Sequence, residues 1–192
     1  MNLKFTEIKG MEVLANKEGK LLGSVRRLQL DSKRKVALGL VFKTRGSGEK
    51  WVKVSKIERI GEDVVFLTDK KAQLEDAPSG RDARDMLGLP VTSLDGKRLG
   101  TLDDVIIDTE DWSVAALVLD DGGEVDLEKD AVLGEDTILL QKGAYDQVRQ
   151  GTGSGGGFLS RVFNPDEEDP PKKKARSRAA GKKRTRRKVS KK

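Results

Sequence analysis

Two stretches of this 192-residue sequence repeat the same order of turn glycines and apolar residues. Residues 19–23 (Gly-Lys-Leu-Leu-Gly) match residues 96–100 (Gly-Lys-Arg-Leu-Gly) at an offset of 77. After a loop of different length, residues 61–67 match residues 134–140 at an offset of 73. A repeat of this length predicts that one structural unit is present twice in the chain.

Each copy has the apolar periodicity of short β-strands. In the first copy the alternating apolar positions are Leu28, Leu30, Val36, Leu38, Leu40 and Phe42. Alternation with period two predicts strands with one face in a core. Ala37, Gly39 and Val41 fill the other register, so we expect this region to be covered on both faces. Turn sequences at residues 16–20 and 93–97 contain the Asn, Asp and Gly that tolerate positive φ. The sequence therefore predicts an all-β fold of two tandem small barrels, because closure removes exposed strand edges.

The ordered motifs resemble the PRC-barrel family. They include Gly-x-x-Val at residues 10–13 and 88–91, the Gly-Lys turn followed by Leu-Gly, and a closing Gly-Glu-Asp strand. The match covers residues 3–68 and 84–142. The family includes the cytoplasmic domain of the photosynthetic reaction-centre H subunit, the C-terminal domain of the 16S rRNA maturation factor, and short bacterial and archaeal proteins. The resemblance implies a docking module that binds protein partners and has no active site of its own.

Composition divides the chain into four parts. We expect a first barrel in residues 1–72, a linker in 73–83, a second barrel in 84–150, and a flexible Gly-rich linker with a disordered Lys/Arg-rich tail in 151–192. The linker begins with seven residues of which five are Gly, and such a segment does not offset its ordering entropy.

Two local features accompany this division. Ser79 or Asp82 is positioned to cap a short helix that ends near Leu87. We also expect Trp51 and Trp112 to begin strands, as residues of the core or of a barrel end.

The sequence offers no set of residues for catalysis. It contains neither His nor Cys, so it lacks the usual general base near neutral pH, the commonest metal ligand and any thiolate. Residues 46–51 lack the spacing of a P-loop. The acidic stretches at 103–104 and 108–111 lack EF-hand spacing, and we expect them in turns or on solvated faces. We therefore expect no enzyme activity, no cofactor, no metal site and no small-molecule ligand.

The C-terminal end of the chain is a dense run of cations. Residues 170–192 contain 13 Lys and Arg and no Asp or Glu. The candidate nucleic-acid-binding residues are these cations, Lys172, Lys173, Lys174, Arg176, Arg178, Lys182, Lys183, Arg184, Arg186, Arg187, Lys188, Lys191 and Lys192. Such runs contact phosphate backbones through counterion release and do not read base sequence. The run has no aromatic residue for stacking on bases, so we expect non-specific tethering to DNA or RNA.

The formal charge of the rest of the chain is unevenly distributed. Residues 1–80 carry 17 Lys and Arg against 11 Asp and Glu, a net charge of +6. Residues 82–148 carry 5 Lys and Arg against 17 Asp and Glu, a net charge of −12. This asymmetry predicts that the basic tail, carried on the Gly-rich linker, folds back on the acidic second copy and is partly masked there, so that nucleic acid would compete with the barrel for the tail.

A second interpretation places the protein at a membrane surface. Leu159, Val162 and Phe163 recur at helical spacing in residues 158–163, and this segment with the tail would contact anionic lipid. The alternative is a stub without a partner, since so short a helix is marginal in isolation. No apolar run approaches the roughly 20 residues of a membrane span, so we expect a cytoplasmic protein. The favoured interpretation is an adaptor whose barrels dock proteins while its tail binds nucleic acid, such as ribosomal RNA or the nucleoid.

Overall fold

A computed structural model of the chain describes residues 1–46, 48–74 and 78–150. These residues belong to one compact unit, Met1–Gly157. The predicted Gly-rich linker, the segment 158–163 and the basic tail lie outside the described residues. Within the described part of the chain, no helix is long and apolar enough to cross a membrane.

The first repeat contains eight strands in its described residues. They are β1 (Asn2–Lys4), β2 (Glu12–Ala15), β3 (Lys20–Asp31), β4 (Val36–Thr44), β5 (Glu49–Lys53), β6 (Ile57–Ile60), β7 (Val64–Leu67) and β8 (Gln73–Leu74). Helix α1 (Phe5–Ile8) follows β1, and it is the only α-helix in the described ranges. Single turns of 3-10 helix, Val54–Lys56 and Lys70–Ala72, precede β6 and β8.

The described part of the second repeat contains a matching set of eight strands. Its strands are β9 (Arg81–Asp82), β10 (Pro90–Ser93), β11 (Arg98–Asp108), β12 (Val114–Leu119), β13 (Gly123–Asp126), β14 (Val132–Leu133), β15 (Ile138–Leu140) and β16 (Arg149–Gln150). A 3-10 turn, Ala83–Met86, occupies the position of α1, and a second, Ala144–Gln147, precedes β16.

The two repeats have the same strand order. Hydrogen bonding connects β6-β7-β2-β3-β4-β5-β8 in the first repeat and β14-β15-β10-β11-β12-β13-β16 in the second. In each, one parallel pair (β2 with β7, β10 with β15) lies among antiparallel neighbours. This correspondence confirms the predicted all-β fold built from two tandem barrels.

Both repeats carry a β-bulge at the same place. The register between β3 and β4 shifts so that Leu38 has no partner on β3, and Ala115 is skipped in the same way between β11 and β12. The bulge turns Ala37 into the core and leaves Val36 half-buried together with Leu38. The predicted inward orientation of Val36 and Leu38 is therefore wrong, whereas residues 39–42 are buried on both faces as predicted.

The turn that follows each long strand is also the same in the two repeats. The Lys35 amide donates to the Asp31 carbonyl (2.7 Å), and the Trp112 amide donates to the Asp108 carbonyl (2.8 Å). Lys35 and Trp112 both have positive φ, 56° and 64°, which is uncommon for residues other than Gly. Trp112 thus ends a turn and does not begin a strand, although it packs half-buried on the core. Trp51 is a core residue of β5, as predicted.

The first strand of each repeat pairs with the sheet of the other repeat. Strand β1 is antiparallel to β11, with Leu3 opposite Ile107. Strand β9 is antiparallel to β3, with Arg81 opposite Leu30. The turns that follow pack on the same strands, α1 on β11 and Ala83–Met86 on β3. We call residues 2–8 and 81–86 the exchanged segments.

The repeats meet in one body with a common core. Val36 and Ser113 form an isolated antiparallel bridge between the two sheets. Buried apolar residues of both repeats, including Leu3 and Phe5 of the first exchanged segment and Met86 of the second, belong to a single cluster. Neither repeat therefore completes its core alone.

Asp82 caps the second exchanged segment, as the sequence predicts. Its carboxylate accepts a hydrogen bond from the Arg84 amide (3.0 Å), and the turn Ala83–Met86 ends at Leu87. The carboxylate satisfies an amide that the short turn itself leaves free.

Asp104 lies elsewhere than the sequence predicts. It is in β11 and only 2% exposed, although we expect a turn or a solvated face for this acidic pair. A second register shift, between Leu102 and Asp104, leaves Asp103 as the exposed extra residue and turns Asp104 inward.

Candidate docking surfaces

A basic groove of about 820 Å³ lies at the end of the first repeat. Its walls are the turn before β3, the hairpin between β4 and β5, and the 3-10 turn Lys70–Ala72. The cationic residues of its lining are Lys20, Arg45, Lys50 and Lys70. These residues come from separate parts of the sequence, so only the fold brings them together.

The groove has an excess of positive charge. Lys20, Arg45 and Lys70 are exposed, and none of their side chains forms an ion pair with another described residue. Glu18, also in the lining, accepts a hydrogen bond from the Lys70 backbone amide (3.0 Å). Clefts that hold charges of one sign concentrate counter-ions of the other sign. The groove is therefore a candidate surface for an anionic partner.

The hairpin that forms one wall is held by local contacts. The amide and the hydroxyl of Thr44 both donate to the Gly48 carbonyl, each at 3.1 Å. At the base of the wall β3 and β4 approach closely, since a Cβ on Gly23 would lie 1.9 Å from the Lys43 carbonyl oxygen. Gly23 permits this approach because it has no side chain. These contacts join Thr44 and Gly48, on either side of Arg45.

The same end of the second repeat is acidic. Asp120 accepts a hydrogen bond from the Thr101 amide (3.1 Å), and this bond lowers the pKa of Asp120 below its ordinary value. A hydrogen bond from the Ser93 side chain lowers the pKa of Asp95 in the same way. Hydrogen bonds to the charged form of a carboxyl favour ionisation. Both groups therefore ionise more readily than ordinary aspartates.

Apolar side chains are also exposed at this acidic end. Leu94 is 45% exposed and Tyr145 is 46% exposed. The Lys97 ammonium lies 5.2 Å from the centroid of the Tyr145 ring, within the range of a cation–π contact. We call the surface formed by Leu94, Asp95, Asp120 and Tyr145 the acidic end. It differs from the basic groove in both charge and polarity.

Charged contacts attach the second exchanged segment to the first repeat. Arg27 on β3 has its Nε atom 3.8 Å from Asp82 Oδ2, which is an ion pair but too long for a hydrogen bond. A second nitrogen of Arg27 is paired with Glu49 of β5. The side chain of Asp82 is only 12% exposed, so its attraction to Arg27 is less screened than that of a surface pair.

Different contacts attach the first exchanged segment to the second repeat. The buried carboxylate of Asp104 accepts hydrogen bonds from the Thr6 amide (3.2 Å), the Thr6 hydroxyl and the Val105 amide (2.8 Å). Buried charges are tolerated when they are hydrogen-bonded in this way. In addition, Lys4 Nζ lies 3.3 Å from Glu124 Oε1 on β13.

The structure locates only part of the chemistry that the sequence suggests. All 13 tail cations lie outside the described residues. Across residues 1–46, 48–74 and 78–150, no group of three or more acidic residues is arranged to hold a metal ion. The sequence analysis did not predict the basic groove. The only sequence feature that pointed to a basic surface in the first repeat was the net charge of +6 over residues 1–80.

Comparison with known protein families gave one result. The family model described as PRC-barrel domain matches residues 2–74 and again residues 79–151. No curated protein sequence gave a match. The two matched ranges correspond to the two repeats seen in the fold.

Proposed function

Since the chain belongs to the PRC-barrel domain family, which suggests a protein-interaction module, we propose that it is a non-enzymatic adaptor with two unlike docking ends. The basic groove takes an acidic segment of one protein partner. The acidic end takes a different partner, with cationic and apolar side chains. The tail tethers the assembly to nucleic acid.

The observation that carries this proposal is the opposite chemistry of two equivalent surfaces. The groove presents Lys20, Arg45 and Lys70. At the matching end of the second repeat Lys97 keeps the position of Lys20, but Asp120 stands where the first repeat has Lys43. One fold in two copies would bind two copies of one partner if its ends were alike. Like-charge repulsion at the wrong end favours two distinct partners.

The expected affinity for an acidic segment is modest and depends on salt. Exposed ion pairs contribute about 0.2–1 kcal/mol each. A few such pairs in the groove give selectivity and fast association more than tight binding. The Debye length of about 8 Å at physiological ionic strength further weakens contacts at the rim of the groove.

The test uses the full chain and a fluorescein-labelled poly-Glu peptide. We expect NMR shift changes at Gly19, Thr44 and Lys70, and weaker binding by the variant Lys20→Gln/Arg45→Gln/Lys70→Gln. A matched control replaces three exposed cations outside the groove, Lys9, Arg26 and Lys56, by Gln. The control has the same change in net charge and retains the tail, so it should keep the groove shifts. Equal loss in both variants, or no shifts at the groove, would reject the groove as the docking surface.

The proposed tether rests on the composition of residues 170–192. If six to ten phosphates are contacted, affinity for duplex DNA or RNA falls about 10³- to 10⁵-fold between 50 and 200 mM salt. Replacing the 13 tail cations by Gln should abolish this binding, while the groove triple variant should retain it. Binding that does not depend on salt would contradict the tether.

The membrane alternative is tested by sedimentation of the full chain with lipid vesicles. Phosphatidylcholine vesicles with and without phosphatidylserine serve as the probe. Two results together would favour the membrane role. The chain would sediment only with vesicles that contain phosphatidylserine, and it would no longer sediment with them after replacement of Leu159, Val162 and Phe163 by Ser. We expect nucleic acid to compete the chain off such vesicles, because both bind the same cations.

A further inference from the structure

The two exchanged segments have opposite charges at equivalent positions. Lys4 is the last residue of β1 in the first segment, and Asp82 occupies the corresponding position at the end of β9 in the second. The strands that receive the two segments also carry opposite charges at one equivalent position, because Arg27 of β3 corresponds to Asp104 of β11. Each of these receiving residues follows a bulge in its strand, which confirms the correspondence.

We propose that this charge reversal selects the exchange, so that each segment docks on the sheet of the other repeat and is rejected by the sheet of its own. As observed, Asp82 faces Arg27 (3.8 Å) and is also paired with Arg84 of its own segment (3.0 Å), and Lys4 faces Glu124. Thr6 supplies the two hydrogen bonds that the buried Asp104 accepts from the segment. Each segment therefore meets a surface of complementary charge or hydrogen-bonding capacity.

Docking of each segment on its own repeat would reverse these contacts. Lys4 would then lie beside Arg27, and Asp82 would lie beside Asp104 and Glu124. Like charges at such distances repel, and the repulsion is strongest where a group is buried. Repulsion against the wrong pairing is a general source of specificity.

The hinge and the backbone pairing of the segments are alike in the two repeats. Gly10 and Gly88 join the exchanged segments to β2 and β10, and both have positive φ, 96° and 81°. The backbone of both segments pairs in an antiparallel register at the corresponding positions of β3 and β11. On this proposal the side chains, and not the hinge, decide between the two docking modes.

The cross-linking test exploits the absence of cysteine from the chain. Asn2 pairs with Asp108, and the residue of the first repeat that corresponds to Asp108 is Asp31. A full-length chain with Asn2→Cys and Asp108→Cys reports exchange, and one with Asn2→Cys and Asp31→Cys reports docking on the own repeat. Disulfides require Cα atoms about 4.4–6.8 Å apart, so each pair reports a single mode.

We expect the 2–108 disulfide to form, and the 2–31 disulfide not to form, in the otherwise unchanged chain. The readout is the disulfide yield of the 2/108 chain divided by that of the 2/31 chain. Adding Lys4→Asp and Asp82→Lys to both chains should lower this ratio about tenfold or more, which corresponds to 1.4 kcal/mol. An unchanged ratio in the charge-reversed chain would overturn the proposal.

A second measurement remains informative if the charge-reversed chain does not fold. Arg27→Gln and Asp82→Asn remove the charges singly and together, and Asn retains the ability to cap the following turn. We expect the Tm of the double variant to lie about 2–4 °C above the value that the two single losses predict. Strictly additive losses would mean that Arg27 and Asp82 do not recognise each other, which contradicts the proposal.

Discussion

Val36 and Ser113 occupy the same position in the two repeats, and they face each other across an antiparallel bridge. The hydrogen bonds on either side run from the Ala37 amide to the Trp112 carbonyl (2.7 Å) and from the Val114 amide to the Lys35 carbonyl (2.8 Å). The donors correspond to each other in the repeat, and so do the acceptors. This arrangement is that of a two-fold axis between subunits, here within a single chain. Two copies that share one chain can diverge, which allows their ends to take opposite charges.

Phe5 should stabilise the whole body, although it lies near the start of the chain. It is 1% exposed, and its helix packs on β11 of the second repeat. We expect Phe5→Ala to cost about 3–5 kcal/mol in the free energy of unfolding, as for other buried aromatic residues. Denaturant unfolding followed by circular dichroism measures this loss. Leu94→Ala, at an exposed site, is the control and should change stability by less than about 0.5 kcal/mol. Similar small losses for both would contradict the common core.

Thr6→Val tests the hydrogen bonds to Asp104. The substitution preserves shape but removes a hydroxyl donor from a carboxylate that is 2% exposed. We expect a loss of about 1–3 kcal/mol, because a buried acceptor loses a partner. Thr109→Val removes a hydroxyl that donates to the Met1 carbonyl at an exposed site, and it should have little effect. If the two variants unfold at the same denaturant concentration, the Asp104 contact does not stabilise the exchange.

The packing of Trp51 should require a residue without a side chain at position 39. A Cβ on Gly39 would lie 2.2 Å from the Val52 carbonyl oxygen and 2.7 Å from the indole ring of Trp51. We expect Gly39→Ala to destabilise the protein by about 1–3 kcal/mol, as overpacking does, and to change the Trp fluorescence. Gly46→Ala is the control, since a Cβ there meets nothing within 4 Å. Equal stability of the two variants would contradict the close packing of β4 on β5.

Asp120 should contribute to the pH dependence of stability. Its pKa is lowered in the folded protein by the Thr101 amide, so its contribution is fully present above the ordinary aspartate pKa of about 4. The contribution is lost as the pH falls through the lower folded value. Asp120→Asn keeps an acceptor but does not titrate, so its Tm should fall less than that of the parent protein between about pH 5.5 and about pH 2.5. If the curves of Tm against pH are parallel for Asp120→Asn and the parent protein, the hydrogen bond from Thr101 does not lower the pKa of Asp120. The effect should be small because Asp120 is exposed.

The sequence predicted the features that depend on local chemistry. The duplicated order of turns, the buried stretch from Gly39 to Phe42, and the cap at Asp82 are all present. Each depends on residue type and spacing within a few positions. Such signals are read directly from period-two alternation and from turn residues.

The sequence did not predict the features that depend on pairing over a long range. No local pattern reveals that β1 pairs with β11, because a three-residue strand is compatible with either sheet. The bulges at Leu38 and Asp103 shift the register by one residue, and such a shift moves side chains to the opposite face. For this reason Asp104 is buried where a solvated position was predicted. The basic groove was missed because Lys20, Arg45 and Lys70 are far apart in the sequence.

The most direct test of the joined repeats is the NOE between the Hα protons of Val36 and Ser113 in the full-length chain. These residues form a pair that lacks mutual hydrogen bonds, and the Cα atoms of such pairs lie about 4.5 Å apart. A strong cross-peak, comparable with those between paired residues of β3 and β4, is the predicted result. If the peaks within each repeat are present and the Val36–Ser113 peak is absent, the repeats do not join at this axis, and the account of one interlocked body is contradicted.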